Sequence, residues 1–93
     1  MAAVLIHEPS TTVTDVDGTV YRAQIFGEEQ PDGHWTAWIE FVPTVDAATR
    51  RGHRRRTGQE TTQPDLAGLE YWATGLEPIY LDGALTRALA RSA

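Results

Sequence analysis

Between Thr19 and Val42 two runs of alternating side chains flank the tetrapeptide Gln30-Pro31-Asp32-Gly33, and that pattern admits little besides a β-hairpin. In the second run Trp35, Ala37, Ile39 and Phe41 alternate with Thr36, Trp38 and Glu40, the two-residue period of a strand buried on one face. In the first run Tyr21, Ala23 and Ile25 match that buried face and leave Arg22 and Gln24 on the other. Proline sets φ at the second position of the turn, and glycine accepts a positive φ near its end. Pro43 then stops the second strand or leaves its end at a sheet edge.

Ahead of the hairpin, Ala2 to His7 reads as an edge strand broken by Glu8-Pro9-Ser10. The β-branched stretch Thr11 to Asp15 leads through Val16-Asp17-Gly18, a second hairpin turn. After the hairpin, residues 43–61 form an Arg-rich loop or edge strand. A third strand through Arg54 to Thr62 fits the length but has no apolar alternation behind it.

The rest, residues 62–91, reads as helical. Thr62 is a candidate cap with Asp65 in the capping-box place, and Leu66, Leu69, Trp72 and Ala73 share one face up to Gly75. Glu77-Pro78 opens a second stripe of Leu81, Ala84, Leu85, Ala88 and Leu89. Gly83 lies inside that stripe, so a short strand at Ile79 to Leu81 with an Asp82-Gly83 turn is the competing reading. Strands first and helices last give an α+β fold. The expected architecture is an antiparallel sheet of three to four strands with two C-terminal helices packed on one face. Ninety-three residues make a single domain over 1–93, with N-terminal strands and turn in 1–18 and the hairpin in 19–42.

Composition closes off several chemistries. With no cysteine there are no disulfides, thiolate nucleophiles or thiolate metal ligands. All eight basic residues are arginine. Without lysine there is no Schiff-base chemistry and no Walker-type phosphate site. Twelve alanines and eight glycines beside this arginine bias suggest a GC-rich, bacterial coding sequence. The N-terminal Met-Ala-Ala-Val-Leu-Ile-His has no charged leader region and too short an apolar run for a signal or span, so a cytoplasmic setting away from membranes is expected.

Two patterns resemble catalytic signatures. Asp15-Val16-Asp17-Gly18-Thr19 spells the nucleophile motif of haloacid-dehalogenase-like phosphatases. That chemistry needs a longer doubly wound domain and further charged loops, so the local reading is a turn built on Asp-Gly. His7, His34 and His53 share no metal-ligand spacing, and no cofactor or metal site is expected from them. The expected protein is not an enzyme.

The net charge of −5 is unevenly spread: five arginines lie in Arg50-Arg51-Gly52-His53-Arg54-Arg55-Arg56, and elsewhere three arginines face thirteen acids. The segment reads as a solvated edge whose charge blocks aggregation, as an anchor for carboxylates of an acidic protein partner, or as a phosphate contact. Nucleic acid is the less expected ligand, since the run lacks interleaved aromatics and the remaining −10 repels phosphate. Trp38 falls on the face opposite Trp35, Ile39 and Phe41, where Arg22 can stack on it if the two lie opposite each other. Arg50, Arg51, Arg54, Arg55, Arg56, Trp38 and Arg22 are therefore the candidate partner-binding residues, and self-association stays open.

The tract Glu60-Thr61-Thr62-Gln63-Pro64, Tyr71-Trp72-Ala73-Thr74-Gly75-Leu76-Glu77-Pro78 and Tyr80-Leu81-Asp82-Gly83-Ala84-Leu85 resembles small uncharacterised bacterial proteins, cyanobacterial ones included. That resemblance covers residues 20 to 88 and implies no activity. Tyr21, Asp32-Gly33, Phe41-Val42-Pro43 and the stretch from Thr62 to Leu76 are similar to HicB-like antitoxin domains, with arginines standing where that family carries Asp-Leu-Pro-Gly. This second resemblance implies a partial RNase-H-like fold that inhibits a basic, RNase-like toxin. The leading expectation is a non-enzymatic protein-interaction module, with the antitoxin and, last, a small hydrolase as alternatives.

Overall fold

A computed structural model describes residues 2–44 and 53–92. It contains strands β1 (Val4–His7), β2 (Thr12–Thr14), β3 (Val20–Glu29), β4 (Trp35–Pro43), β5 (Arg55–Arg56) and β6 (Thr61–Gln63), then helices α1 (Leu66–Thr74) and α2 (Pro78–Ser92). The α+β class is as the sequence implies, but among the described residues the antiparallel sheet has six strands rather than three or four. The long hairpin β3–β4 forms its centre; β1 and β2 share the outer edge of β3, and β5 and β6 share that of β4.

Both turns close as their residues require. Gln30 donates its backbone N–H to the His34 carbonyl at 2.7 Å, and Gly33 takes φ of 92°. In the other turn the Asp15 and Thr19 backbones bond at 3.0 Å around Gly18, at φ of 91°.

The core lies on one face of the sheet. Tyr21, Ala23 and Ile25 of β3 and Ala37, Ile39 and Phe41 of β4 are buried against Leu69 and Ala73 of α1 and Leu81, Ala84, Leu85 and Ala88 of α2. Each large apolar side chain buried this way contributes roughly 1.5–3 kcal/mol. Gly27 continues the buried row of β3 as a gap. A Cβ there would stand 2.5 Å from a Leu69 methyl and 3.1 Å from Ile6, so its absence lets α1 and β1 close on the sheet.

The extra strands come from edges split by irregular residues. Between β5 and β6 the chain leaves the ladder at Thr57, which is fully buried. Its hydroxyl accepts the Ile39 N–H at 3.0 Å, standing in for a backbone carbonyl, and donates to the Gly58 carbonyl at 2.7 Å. The chain rejoins at Glu60, whose N–H reaches the Ala37 carbonyl at 2.8 Å. This replaces the single candidate strand from Arg54 to Thr62 with two short ones.

The start of α1 also differs from expectation. Thr62 is paired with Thr36 in β6 and caps nothing. Asp65 is itself the cap, its Oδ1 accepting the Gly68 N–H at 2.7 Å. Ladder bonds to β4 hold the backbone extended three residues longer than the helical pattern implied. In α2 the competing strand is overruled, since the Leu81 N–H bonds the Glu77 carbonyl at 3.1 Å and residues 79–81 are helical. No helix among the described residues is long and apolar enough to cross a membrane.

Candidate functional site

Alternation along β3 and β4 sends every second side chain away from the helices. On that open face Phe26 stands opposite Trp38, Gln24 opposite Glu40, and Arg22 opposite Val42. Among the described residues the helices cover only the other face, where the whole buried apolar core lies. Pairing with β3 adds Leu5, opposite Phe26, on one side. Pairing with β4 adds Arg56, opposite Glu40, on the other.

The middle of the face is layered. Phe26 and Trp38 lie nearly parallel, with ring centroids 6.2 Å apart and planes inclined by 16°. The Arg56 guanidinium sits over Trp38, 4.4 Å from the ring centroid, and Arg54 lies 6.0 Å from that of Phe26. Stacking of this kind contributes about 0.5–1 kcal/mol at exposed sites and leaves the in-plane N–H donors of the guanidinium available.

A polar chain ties the layer to the sheet. The Trp38 indole donates to Glu40 at 2.8 Å, and the other oxygen of that carboxylate accepts Arg54 Nε at 2.5 Å. Arg54 Nη2 continues to Gln24 at 3.1 Å, and Gln24 donates to Glu8 at 3.0 Å. Glu8 also lies 3.6 Å from Arg22. Partial burial would raise the Glu40 carboxyl, but the bonds from Trp38 and Arg54 outweigh it and hold the group below its ordinary range.

The two surfaces picked out by the sequence, the arginine segment and the Trp38 face, are thus brought together by β5. Arg54 and Arg56 reach the face, and Trp38 is half-buried beneath Arg56. The Arg22–Trp38 stack, which required the two to lie opposite each other, does not form: the register puts Arg22 opposite Val42, four residues from Trp38, and Glu8 holds it. Arg55 points the other way. It pairs with Phe41 and so shares the helix side, where its Nε is buried without a hydrogen-bond partner among the described residues. Arg50 and Arg51 lie outside the described residues.

Leu5, Phe26 and Glu40 join the site without having been singled out. Phe26 was legible as the aromatic exception in the outward-facing positions of β3. Leu5 was not, because only the β1–β3 register decides its face.

A second polar cluster lies away from this face. Glu60, with 8% of its side chain exposed, accepts the Tyr80 hydroxyl at 2.6 Å and a two-point contact from Arg87 at 2.5 and 3.2 Å. Burial raises the Glu60 carboxyl, but the Arg87 and Tyr80 bonds dominate and hold it below its ordinary value. Burial and the Glu60 charge push the Tyr80 phenol up to about 12. With every acceptor engaged and Trp72 packed edge-on to Tyr80 at 6.1 Å, this group fastens α2 to the loop before β6.

The aspartates of the phosphatase-like pentapeptide serve their turn. Asp15 Oδ1 accepts the N–H groups of Asp17 and Thr19, and Asp17 Oδ1 accepts the N–H and hydroxyl of Thr19, at 2.7–3.0 Å. His34 contacts Asp32 at 3.1 Å in the β3–β4 turn. No protein-family model, curated protein or solved structure matches the chain.

Proposed function

We propose that this protein is a non-enzymatic interaction module of a bacterial cytoplasm that holds an acidic segment of a partner protein on its open sheet face. The observation that carries this reading is the pair of guanidiniums stacked on an aromatic layer, Arg56 over Trp38 and Arg54 by Phe26. Rings and hydrogen bonds hold the cations in place: Arg54 is tied by Nε to Glu40 and by Nη2 to Gln24, and Arg56 by Nε to the Thr57 carbonyl. The remaining guanidinium donors therefore meet a carboxylate with little ordering entropy opposing binding. Charge complementarity supports an acidic partner: the arginine segment is the only basic tract on a chain that is otherwise strongly acidic. The edges favour docking on the face over strand addition, because the edge strands are only two to four residues long.

The test is a titration of a fluorescein-labelled peptide rich in Asp and Glu, with binding read from the label and from Trp38 in a Trp35→Phe, Trp72→Phe background. Arg54→Ala with Arg56→Ala is expected to weaken binding tenfold or more, on the order of the two charge-assisted contacts removed. Unchanged affinity in that variant would overturn the reading. So would tighter binding to a single-stranded RNA oligonucleotide, with affinity falling steeply in salt. Preference for an arginine-rich peptide over the acidic one would instead favour the antitoxin resemblance, whose partner is basic.

A further inference from the structure

Across the strands the open face changes character. On the β1 side Leu5 is 49% exposed, and its cross-strand neighbour Phe26 is half-buried. The neighbouring strand position Ile6 packs on the core instead, so the exposure of Leu5 follows from which way it points. Carboxylates also belong to this side: Glu8 is hydrogen-bonded to Gln24, and Glu28 stands one row above Phe26 on β3. On the β5 side the row ends in the Arg56 guanidinium over Trp38, while Arg54, bonded to Glu40, reaches back to Gln24 and the Phe26 ring on β3. A uniformly acidic segment would be repelled at one end of this row and would leave Leu5 uncovered.

Resting on the acidic-partner reading, we infer that the partner segment is amphipathic and lies across the strands. An apolar side chain sits on Leu5 and Phe26, and a carboxylate meets Arg56 at the far side. Strands are spaced by about 4.8 Å, so the row from β1 to β5 spans roughly 14 Å; seats within it are roughly 10–14 Å apart. In an extended segment advancing about 3.3 Å per residue, that places the apolar anchor three to four residues from the acidic pair. The layout sets direction as well as composition, because reversing the segment takes its carboxylates away from Arg56 and towards Glu28 and the Arg22-paired Glu8.

Two fluorescein-labelled peptides test this. Both carry an Asp-Glu pair, and one has leucine, the other serine, four positions away. The leucine peptide is expected to bind the unaltered protein about five- to tenfold more tightly, the worth of partly burying one leucine. Leu5→Ser should reduce that advantage below about twofold, whereas Arg56→Gln should weaken both peptides by a similar factor. Leu5→Glu provides a second variant at the same exposed position and should disfavour the leucine peptide further. Equal binding of the two peptides by the unaltered protein would overturn the amphipathic inference while leaving acidic docking intact. Failure of both peptides to bind would overturn the docking reading beneath it.

Discussion

The two faces of the β3–β4 hairpin are made by the same twenty-odd residues, one position out of step, and they are held by different physics. On the helix side Ala23, Ile25, Ala37, Ile39 and Phe41 are fully buried and interlock with two helices. On the open side Phe26 and Trp38 are only half-buried, and what covers them is arginine tied down by Glu40 and Gln24. Apolar burial is strong and close to additive in area, whereas exposed cation–π and ion-pair contacts are weak one by one. The covered face therefore carries the stability. The open face contributes less, so its contacts can be lost at small cost to the fold.

That contrast predicts a graded mutational response, measured by urea unfolding. Phe41→Ala is expected to remove about 3–5 kcal/mol, enough to unfold a substantial fraction of a domain this small. Gly27→Ala should cost about 1–3 kcal/mol, because the new methyl meets Leu69 and Ile6. If it is neutral, the close approach of α1 to the sheet is not as described. Thr57→Val should cost about 1–3 kcal/mol by leaving the buried Ile39 N–H without its acceptor.

The Glu60 cluster yields a pH prediction. Its carboxyl is held below the ordinary value of 4.5, so its stabilising effect is complete above pH 4.5 and is lost as the pH falls through the lowered value. Glu60→Gln should flatten that acid limb of the stability curve, and an unchanged acid slope would remove Glu60 from the account. On the open face Trp38→Ala should cost about 1–2 kcal/mol, through its ring stack, its half burial and its bond to Glu40. Smallest of all, Arg22→Ala should change stability by less than about 1 kcal/mol. A loss at Trp38 as large as that at Phe41 would erase the distinction between the faces.

Much of this contrast was legible in the sequence. Alternation from Trp35 to Phe41 assigned the buried side, and Gln30-Pro31-Asp32-Gly33 placed the turn. The stripes Leu69 to Ala73 and Leu81 to Ala88 marked the surfaces that cover it. The edges were not legible. Arg55–Arg56 and Thr61–Gln63 carry no hydrophobic period because each is held by backbone bonds to β4, and a buried threonine hydroxyl bridges the break. The same ladder displaced the α1 cap from Thr62 to Asp65.

The sequence by itself determined the hairpin, its inside and outside, the helical C-terminal part and the concentration of positive charge before Thr57. All of these are local patterns, set by periodicity and turn chemistry within a few residues. Only the tertiary structure decided that Arg56 rather than Arg22 covers Trp38, that Arg55 turns to the helix side, and that Leu5 joins Phe26 on the open face. Those facts depend on the register between strands distant in the chain. A one-residue slip in register would send each of these side chains to the opposite face, and no local pattern in residues 53–61 records which register is adopted.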